Sequence, residues 1–144
     1  MPPKRIFLDA NVLVTVLGNE YPRFSACACV LSLADDPRFD VFTSPLCLAI
    51  GAYYAEKKSG QRVAKKKAAL LAGKLRITSL DHSTAKRALA NTRVEDLTDG
   101  MVYYSAVDAK CTAIVTYDRH DFHFGELEVL NGEDFLLKYA VKRK

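Results

Sequence analysis

The chain has 144 residues, 49% of them hydrophobic and 26% charged, which is the size of one ordinary domain able to bury about two-thirds of its unfolded surface. No stretch reaches the roughly 18 uninterrupted apolar residues of a membrane span, and Cys27, Cys29, Cys47 and Cys111 show neither the CxxC nor the Cys/His spacing of a zinc site. With a mild net charge of +4, the expectation is a soluble, unprocessed protein of a reducing cytoplasm, one domain over residues 1–144, without membrane association.

Arg5 to Asp9, reading RIFLD, is a short apolar run ending in an acid and predicts a strand; after Ala10-Asn11 the apolar run Val12 to Leu17 predicts a helix. Pro22 opens a helical stretch through Ala34, because proline is tolerated in a first turn, and Asp35-Asp36-Pro37 closes it. Within that stretch Cys27 and Cys29 lie two apart and face different directions, as small core or half-buried residues do. Phe39 to Thr43 reads as the second strand. Ser44-Pro45 then supplies a cap and first turn for a helix to about Ser59-Gly60, followed by a basic helix to about Gly73.

Leu75 to Ser79 predicts the third strand, and Asp81-His82-Ser83 provides capping groups for a helix through Ala90. Asp96 caps another helix, Asp99 to Lys110, and the β-branched run Thr112 to Tyr117 suits a buried strand. Leu127 to Leu130 is the last strand, Asn131-Gly132 a turn, and Glu133 to Val141 a closing helix before the Lys-Arg-Lys tail. Strands separated by helices of these lengths imply right-handed crossovers, hence an α/β fold: a three-layer α/β/α sandwich with a mainly parallel central sheet. Active sites in such sheets lie at the carboxyl ends of the strands.

That rule gives the acids their interest. Asp9 ends the first strand and Asp118 follows the Thr112 to Tyr117 strand, so a parallel sheet brings both to one edge, and Asp99 at a helix start adds a third. Such carboxylates repel one another unless protons or cations intervene, and Mg²⁺ or Mn²⁺, which prefer oxygen ligands, are the natural counter-charge. Each acid also has a purely structural role open to it: Asp9 and Asp96 as helix caps, Asp99 as an acid in a first helical turn, Asp118 and Asp121 as turn formers. His120 and His123 sit in a turn that scaffolds paired ligands poorly, and Tyr53-Tyr54 and Tyr103-Tyr104 read as core and edge aromatics before they read as a stacking platform. Charge is uneven as well. Between Glu56 and Arg76 lie Lys57, Lys58, Arg62, Lys65, Lys66, Lys67, Lys74 and Arg76 against the single acid Glu56, a patch able to neutralise phosphates or to serve as a solvated helix face.

The segments FLDANVLV, TSPLCLAIGAYYAEKKSG and DLTDGMVYYSAVDAKCTAIVTYDRHDF, in that order and spacing, resemble a PIN domain of the bacterial VapC-type toxin group. The most specific piece is Asp99 with the helix to Ala106, then Thr116-x-Asp118-x-x-Asp121-Phe122. The resemblance implies a divalent-metal-dependent endoribonuclease, of the kind that serves as the toxin of a toxin–antitoxin pair, with Asp9, Asp99 and Asp118 as the catalytic acids of a Mg²⁺ or Mn²⁺ site. Asp96 and Asp121 are further metal candidates, Asn11 and Thr116 supporting residues. RNA, a cognate antitoxin and a second copy in a homodimer are the implied partners, with Lys57, Lys58, Arg62, Lys65 and Lys66 as candidate RNA contacts. One position departs: the family usually has a glutamate six residues after the serine that ends the second strand, and here that residue is Ile50. The rival expectation is therefore a catalytically weakened PIN fold that binds RNA or a partner protein. A phosphoacceptor receiver domain, which also uses an acidic pocket, needs an acidic pair near the first strand, a central-strand acceptor aspartate and a late-strand lysine, which this sequence does not supply.

Overall fold

Side chains that accept hydrogen bonds from free backbone N–H groups set where most helices of this chain begin, and short apolar runs set the strands between them. The computed structural model describes residues 2–141, and the Lys142-Arg143-Lys144 tail lies outside them. In chain order the elements are β1 (Lys4–Leu8), α1 (Ala10–Leu17), α2 (Phe24–Ser32), β2 (Phe39–Thr43), α3 (Pro45–Ser59), α4 (Gln61–Lys74), β3 (Arg76–Ile77), α5 (His82–Ala90), α6 (Leu97–Asp108), β4 (Ala113–Val115), β5 (Glu128–Leu130) and α7 (Gly132–Phe135). A 3₁₀ turn, Arg119–Phe122, follows β4, and α7 runs on into a π-helical turn, Leu136–Ala140. Asp9, Ser44, Asp81, Asp96 and Asn131 each cap the helix that follows, Asp81 in a reciprocal capping box with Thr84.

All strand pairs are parallel, in the order β3-β2-β1-β4-β5. The central position of β1 explains its composition. A strand covered on both faces needs apolar side chains pointing both ways, and Ile6, Phe7 and Leu8 are fully buried, as are Ala113, Ile114 and Val115 of β4. The chain steps outward from β1 to β2 to β3, then crosses back over β1 to reach β4 and β5. Right-handed crossovers running in opposite directions cover opposite faces, so α1, α3 and α4, which pack on one another, lie across the sheet from the packed pair α5 and α6. The strand order reverses between β1 and β4, and the crevice beyond their carboxyl ends is where ligands bind in open sheets of this kind.

Two glycines permit close helix contacts beside that crevice. A Cβ on Gly51 of α3 would lie 3.1 Å from Leu17 Cδ1 and 3.2 Å from Leu13 Cβ of α1, and a Cβ on Gly100 of α6 would lie 2.8 Å from Ala88 Cβ of α5.

Local departures from the sequence reading have local causes. The second helix begins at Phe24, not Pro22, with Arg23 at a cap position where its side chain makes no capping bond. Asn131-Gly132 does not form a free-standing turn, because Asn131 Oδ1 accepts from Asp134 N at 2.8 Å and starts α7. The third strand shrinks to two exposed edge residues. Cys27 is buried and Cys29 exposed, and all four cysteines are free thiols. Among the described residues, no helix is long and apolar enough to cross a membrane.

Candidate active site

The acids meet where β1 and β4 end. Asp9 N donates to Val115 O at 3.0 Å, tying the two strand ends together, and the Asp9 carboxylate turns back to cap α1, Oδ1 accepting from Ala10 N at 2.8 Å. The Cys47 thiol of α3 also donates to Oδ1, at 3.8 Å. Oδ2 accepts from the Thr116 hydroxyl at 2.8 Å. That hydroxyl in turn accepts from Asn11 Nδ2 at 2.8 Å and from Asp118 N at 3.1 Å, so its one donor and both lone pairs are used. Asn11 closes the circuit, with Nδ2 donating to Asp118 Oδ2 at 3.2 Å and Oδ1 accepting from Tyr117 N at 3.2 Å. Thr116 is fully buried and Asp9 only 8% exposed, and the network locks the β1–α1 junction to the chain leaving β4.

Asp99 arrives from the other side, in the first turn of α6, where its backbone N–H is capped by Asp96 Oδ1 at 3.0 Å. Asp118 starts the 3₁₀ turn that brings Asp121 round, and its side chain makes no capping bond to that turn. Asp9, Asp99, Asp118 and Asp121 all line one cavity of about 300 Å³. The rest of its lining is largely apolar, with Ala10 and Val14 from α1, Cys47, Ile50 and Tyr54 from α3, and Val102 from α6.

Electrostatics record the crowding. Burial raises the Asp9 carboxyl above its ordinary value, against the bonds from Ala10 and Thr116, and the charges of Asp118 and Asp121 raise it further. The Asp99 carboxyl is pushed up to about 7, first by burial, then by Asp121, Asp96, Asp9 and Asp118. Asp121 is raised by burial, Asp118 and Asp96, with His120 opposing.

Asp96 stands apart from Asp9 and Asp118. It lines an adjoining cavity of about 410 Å³ with Glu95, His120 and His123, and the two cavities share Thr98, Asp99 and Asp121. The His120 and His123 rings stack with centroids 5.0 Å apart. Val14, Thr98 and Val102 are cavity residues the sequence did not single out, and Cys47 and Tyr54, read there as an ordinary cysteine and as a core or edge aromatic, also line the cavity; the spacing of Cys47, Ile50 and Tyr54 along one helical face was the available signal. The candidate RNA contacts are solvent-exposed on α3 and α4. Lys58 reaches Glu20 at 3.0 Å and Gly18 O at 3.4 Å, while Lys57 lies 4.6 Å from the Tyr53 ring centroid.

In kind, this donor set fits a hard divalent cation: oxygen ligands from four carboxylates facing one cavity whose charges oppose one another. Among the described residues, no three Asp, Glu, His or Cys side chains are drawn in closely enough to hold an ion as they stand, and carboxylates without a counter-charge repel.

No curated protein matches the chain. The crystal structure of VapC20 from Mycobacterium tuberculosis, a toxin that cleaves the sarcin-ricin loop, is 18% identical with a TM-score of 0.67, over 87% of this chain and 98% of that one. VapBC2 from Rickettsia felis, bound to a DNA fragment from its promoter, is 17% identical with a TM-score of 0.69, over 88% and 98%. These likenesses are of fold. The PIN domain family model matches residues 5–120 in sequence, from β1, which leads to Asp9, to the start of the 3₁₀ turn that follows Asp118, and by that match this chain belongs to the PIN domain family.

Proposed function

We propose that this PIN domain is a divalent-metal-dependent endoribonuclease. The observation that carries the reading is the convergence of Asp9, Asp99, Asp118 and Asp121, from separate chain segments, on one cavity in which burial and mutual repulsion raise Asp9, Asp99 and Asp121. Asp9, Asp99 and Asp118 would hold Mg²⁺ or Mn²⁺, with Asp121 and Asp96 as further oxygen donors. A cation bound there supplies Lewis acidity, offsetting phosphate charge and making water a better nucleophile at neutral pH.

The chain's own residues prepare the site. Ala10 N–H, the Cys47 thiol and the Thr116 hydroxyl occupy three of the roughly four lone-pair sites of the Asp9 carboxylate, which fixes its orientation and leaves about one for a ligand. Asn11 and Thr116 hold Asp118 in register with it. Attack by water needs no covalent enzyme intermediate. Lys57, Lys58, Arg62, Lys65 and Lys66 would contact the phosphate backbone without reading bases.

The test is cleavage of several RNAs by purified protein with Mg²⁺ or Mn²⁺. Activity is expected to vanish with chelator and with Asp9→Asn or Asp118→Asn, whereas equal cleavage by wild type and both variants would identify a contaminant. Likeness of fold to VapC20, a toxin that cleaves the sarcin-ricin loop, supports extending the proposal to the toxin of a toxin–antitoxin pair, acting as a homodimer and held by a cognate antitoxin. Sedimentation and co-purification with the product of an adjoining gene test those partners.

Ile50 favours a second reading. It lines the acidic cavity, where the family glutamate would stand, and a site short of one carboxylate suits a PIN fold that binds RNA without cutting it. Wild type would then bind RNA in a salt-sensitive manner, weakened by Lys65→Glu and Lys66→Glu, and cleave none.

A further inference from the structure

We infer that the apolar wall of the acidic cavity is a nucleobase subsite: Val14, Ile50, Tyr54 and Val102 receive one unstacked base of single-stranded RNA beside the carboxylates. The inference rests on the ribonuclease reading above and names the part of the substrate that this chain's altered wall would hold.

Three helices build the wall at helical spacing. Ala10 and Val14 come from α1, Cys47, Ile50 and Tyr54 from α3, and Val102 from α6. Ile50 is not there to fill the core. Leu46 and Leu48 of the same helix pack against the core, whereas Ile50 is half-buried and faces the cavity. Tyr54 lines the cavity and is 49% exposed, its ring edge-on to that of Tyr53 with centroids 5.4 Å apart, so an aromatic ring borders the cavity within reach of solvent. The Lys57 ammonium lies 5.7 Å from the Tyr54 ring centroid and on the same lip, a position suited to a neighbouring phosphate. At about 300 Å³ the cavity is at the small end of ligand pockets, which run from roughly 300 to 1,000 Å³.

A single nucleotide combines what these surfaces ask for. Its planar apolar base matches the Ile50 and Tyr54 side, and its phosphates match the cationic lip. Bases in a duplex are stacked and out of reach, while loops and single strands offer them splayed, and stacking on an aromatic ring tolerates every base. The subsite therefore confers a preference for unpaired RNA, not for a particular sequence.

The experiment compares nucleoside 5′-monophosphates with ribose 5-phosphate, which lacks the base, by calorimetry and by methyl NMR of Ile50, with Mn²⁺ and with chelator. Nucleotides are expected to bind about tenfold tighter than ribose 5-phosphate and to shift the Ile50 methyl signals. Tyr54→Ala and Ile50→Glu should each lose that advantage, and Tyr54→Phe and Ile50→Val should keep it, which separates loss of the surface from loss of the fold. Equal binding of nucleotide and ribose 5-phosphate overturns the subsite, as does an Ile50 methyl that responds to a leucine- or phenylalanine-containing tripeptide and to no nucleotide. A base preference without any RNA cleavage would uphold the subsite and remove the nuclease reading, whereas cleavage abolished by Asp118→Asn with no base preference would do the reverse.

Discussion

Replacing Asp99 with asparagine should stabilise the metal-free protein at pH 8, and the gain should fade as the pH falls. The carboxyl of Asp99 is raised from its ordinary 3.8 to about 7 by burial and by four neighbouring acids. The folded state therefore binds this proton more tightly than the unfolded chain does. Between about pH 4 and pH 7 the folded state holds more protons, and stability falls as pH rises through that window. A pKa difference of about three corresponds to roughly 4 kcal/mol. Asp99 keeps partial access to solvent, and screening reduces the figure to about 1–2 kcal/mol. Asparagine also forfeits the favourable placing of a negative charge in a first helical turn, about 0.3–1 kcal/mol. The backbone cap from Asp96 Oδ1 to Asp99 N is untouched by the substitution, so a net gain of about 1 kcal/mol is expected. Urea unfolding of wild type and Asp99→Asn in chelator at pH 8, 6 and 4 measures it, the difference closing towards pH 4. Adding Mn²⁺ at pH 8 should reverse the order, because the cation stabilises only the state that binds it. An asparagine variant less stable than wild type at pH 8 in chelator, or an equal gap at pH 4, would refute the electrostatic account of this cavity.

Thr116→Val removes the acceptor of Asn11 Nδ2 and Asp118 N and the donor to Asp9 Oδ2. It should cost about 1–3 kcal/mol in denaturant unfolding, with Thr116→Ser close to wild type. Gly100→Ala places a methyl group 2.7 Å from Val94 Cγ1 and 2.8 Å from Ala88 Cβ, and should lower stability by about 1–3 kcal/mol in thermal unfolding. An unchanged melting temperature would mean that α5 and α6 have slack between them. Ile50→Glu should tighten Mn²⁺ binding about tenfold by calorimetry while lowering stability in chelator, since it adds a charge to the acidic wall. Unchanged metal affinity in a folded variant would show that the pocket is completed by other groups.

The succession of strands and helices was legible because each boundary carries its own chemistry. Ser44 before Pro45, Asp81 ahead of His82-Ser83 and Asp96 three residues ahead of Asp99 are local signals, and strands buried on both faces, such as Ile6 to Leu8, read as unbroken apolar runs. Asp9 and Asp118 were legible as a pair because both lie at strand ends in a chain whose alternation implied a parallel sheet. The apolar lining of the cavity was not, because Val14, Cys47 and Tyr54 come together only through packing between helices. Nor could spacing alone separate Asp96, which caps α6 and faces the adjoining cavity, from Asp121, which follows the 3₁₀ turn into the shared one. Asn131-Gly132 carries the composition of a turn and serves as a cap, two uses of one asparagine that only its surroundings distinguish.

The docking of α3 through Gly51 separates two duties that most helix positions combine. Contact with α1 is made at residue 51, where the absence of a side chain lets the helices close on Leu13 and Leu17, and the neighbouring residue 50 is turned to the cavity. An exchange between glutamate and isoleucine at position 50 therefore alters the charge of the cavity while leaving the Gly51 contact with α1 in place.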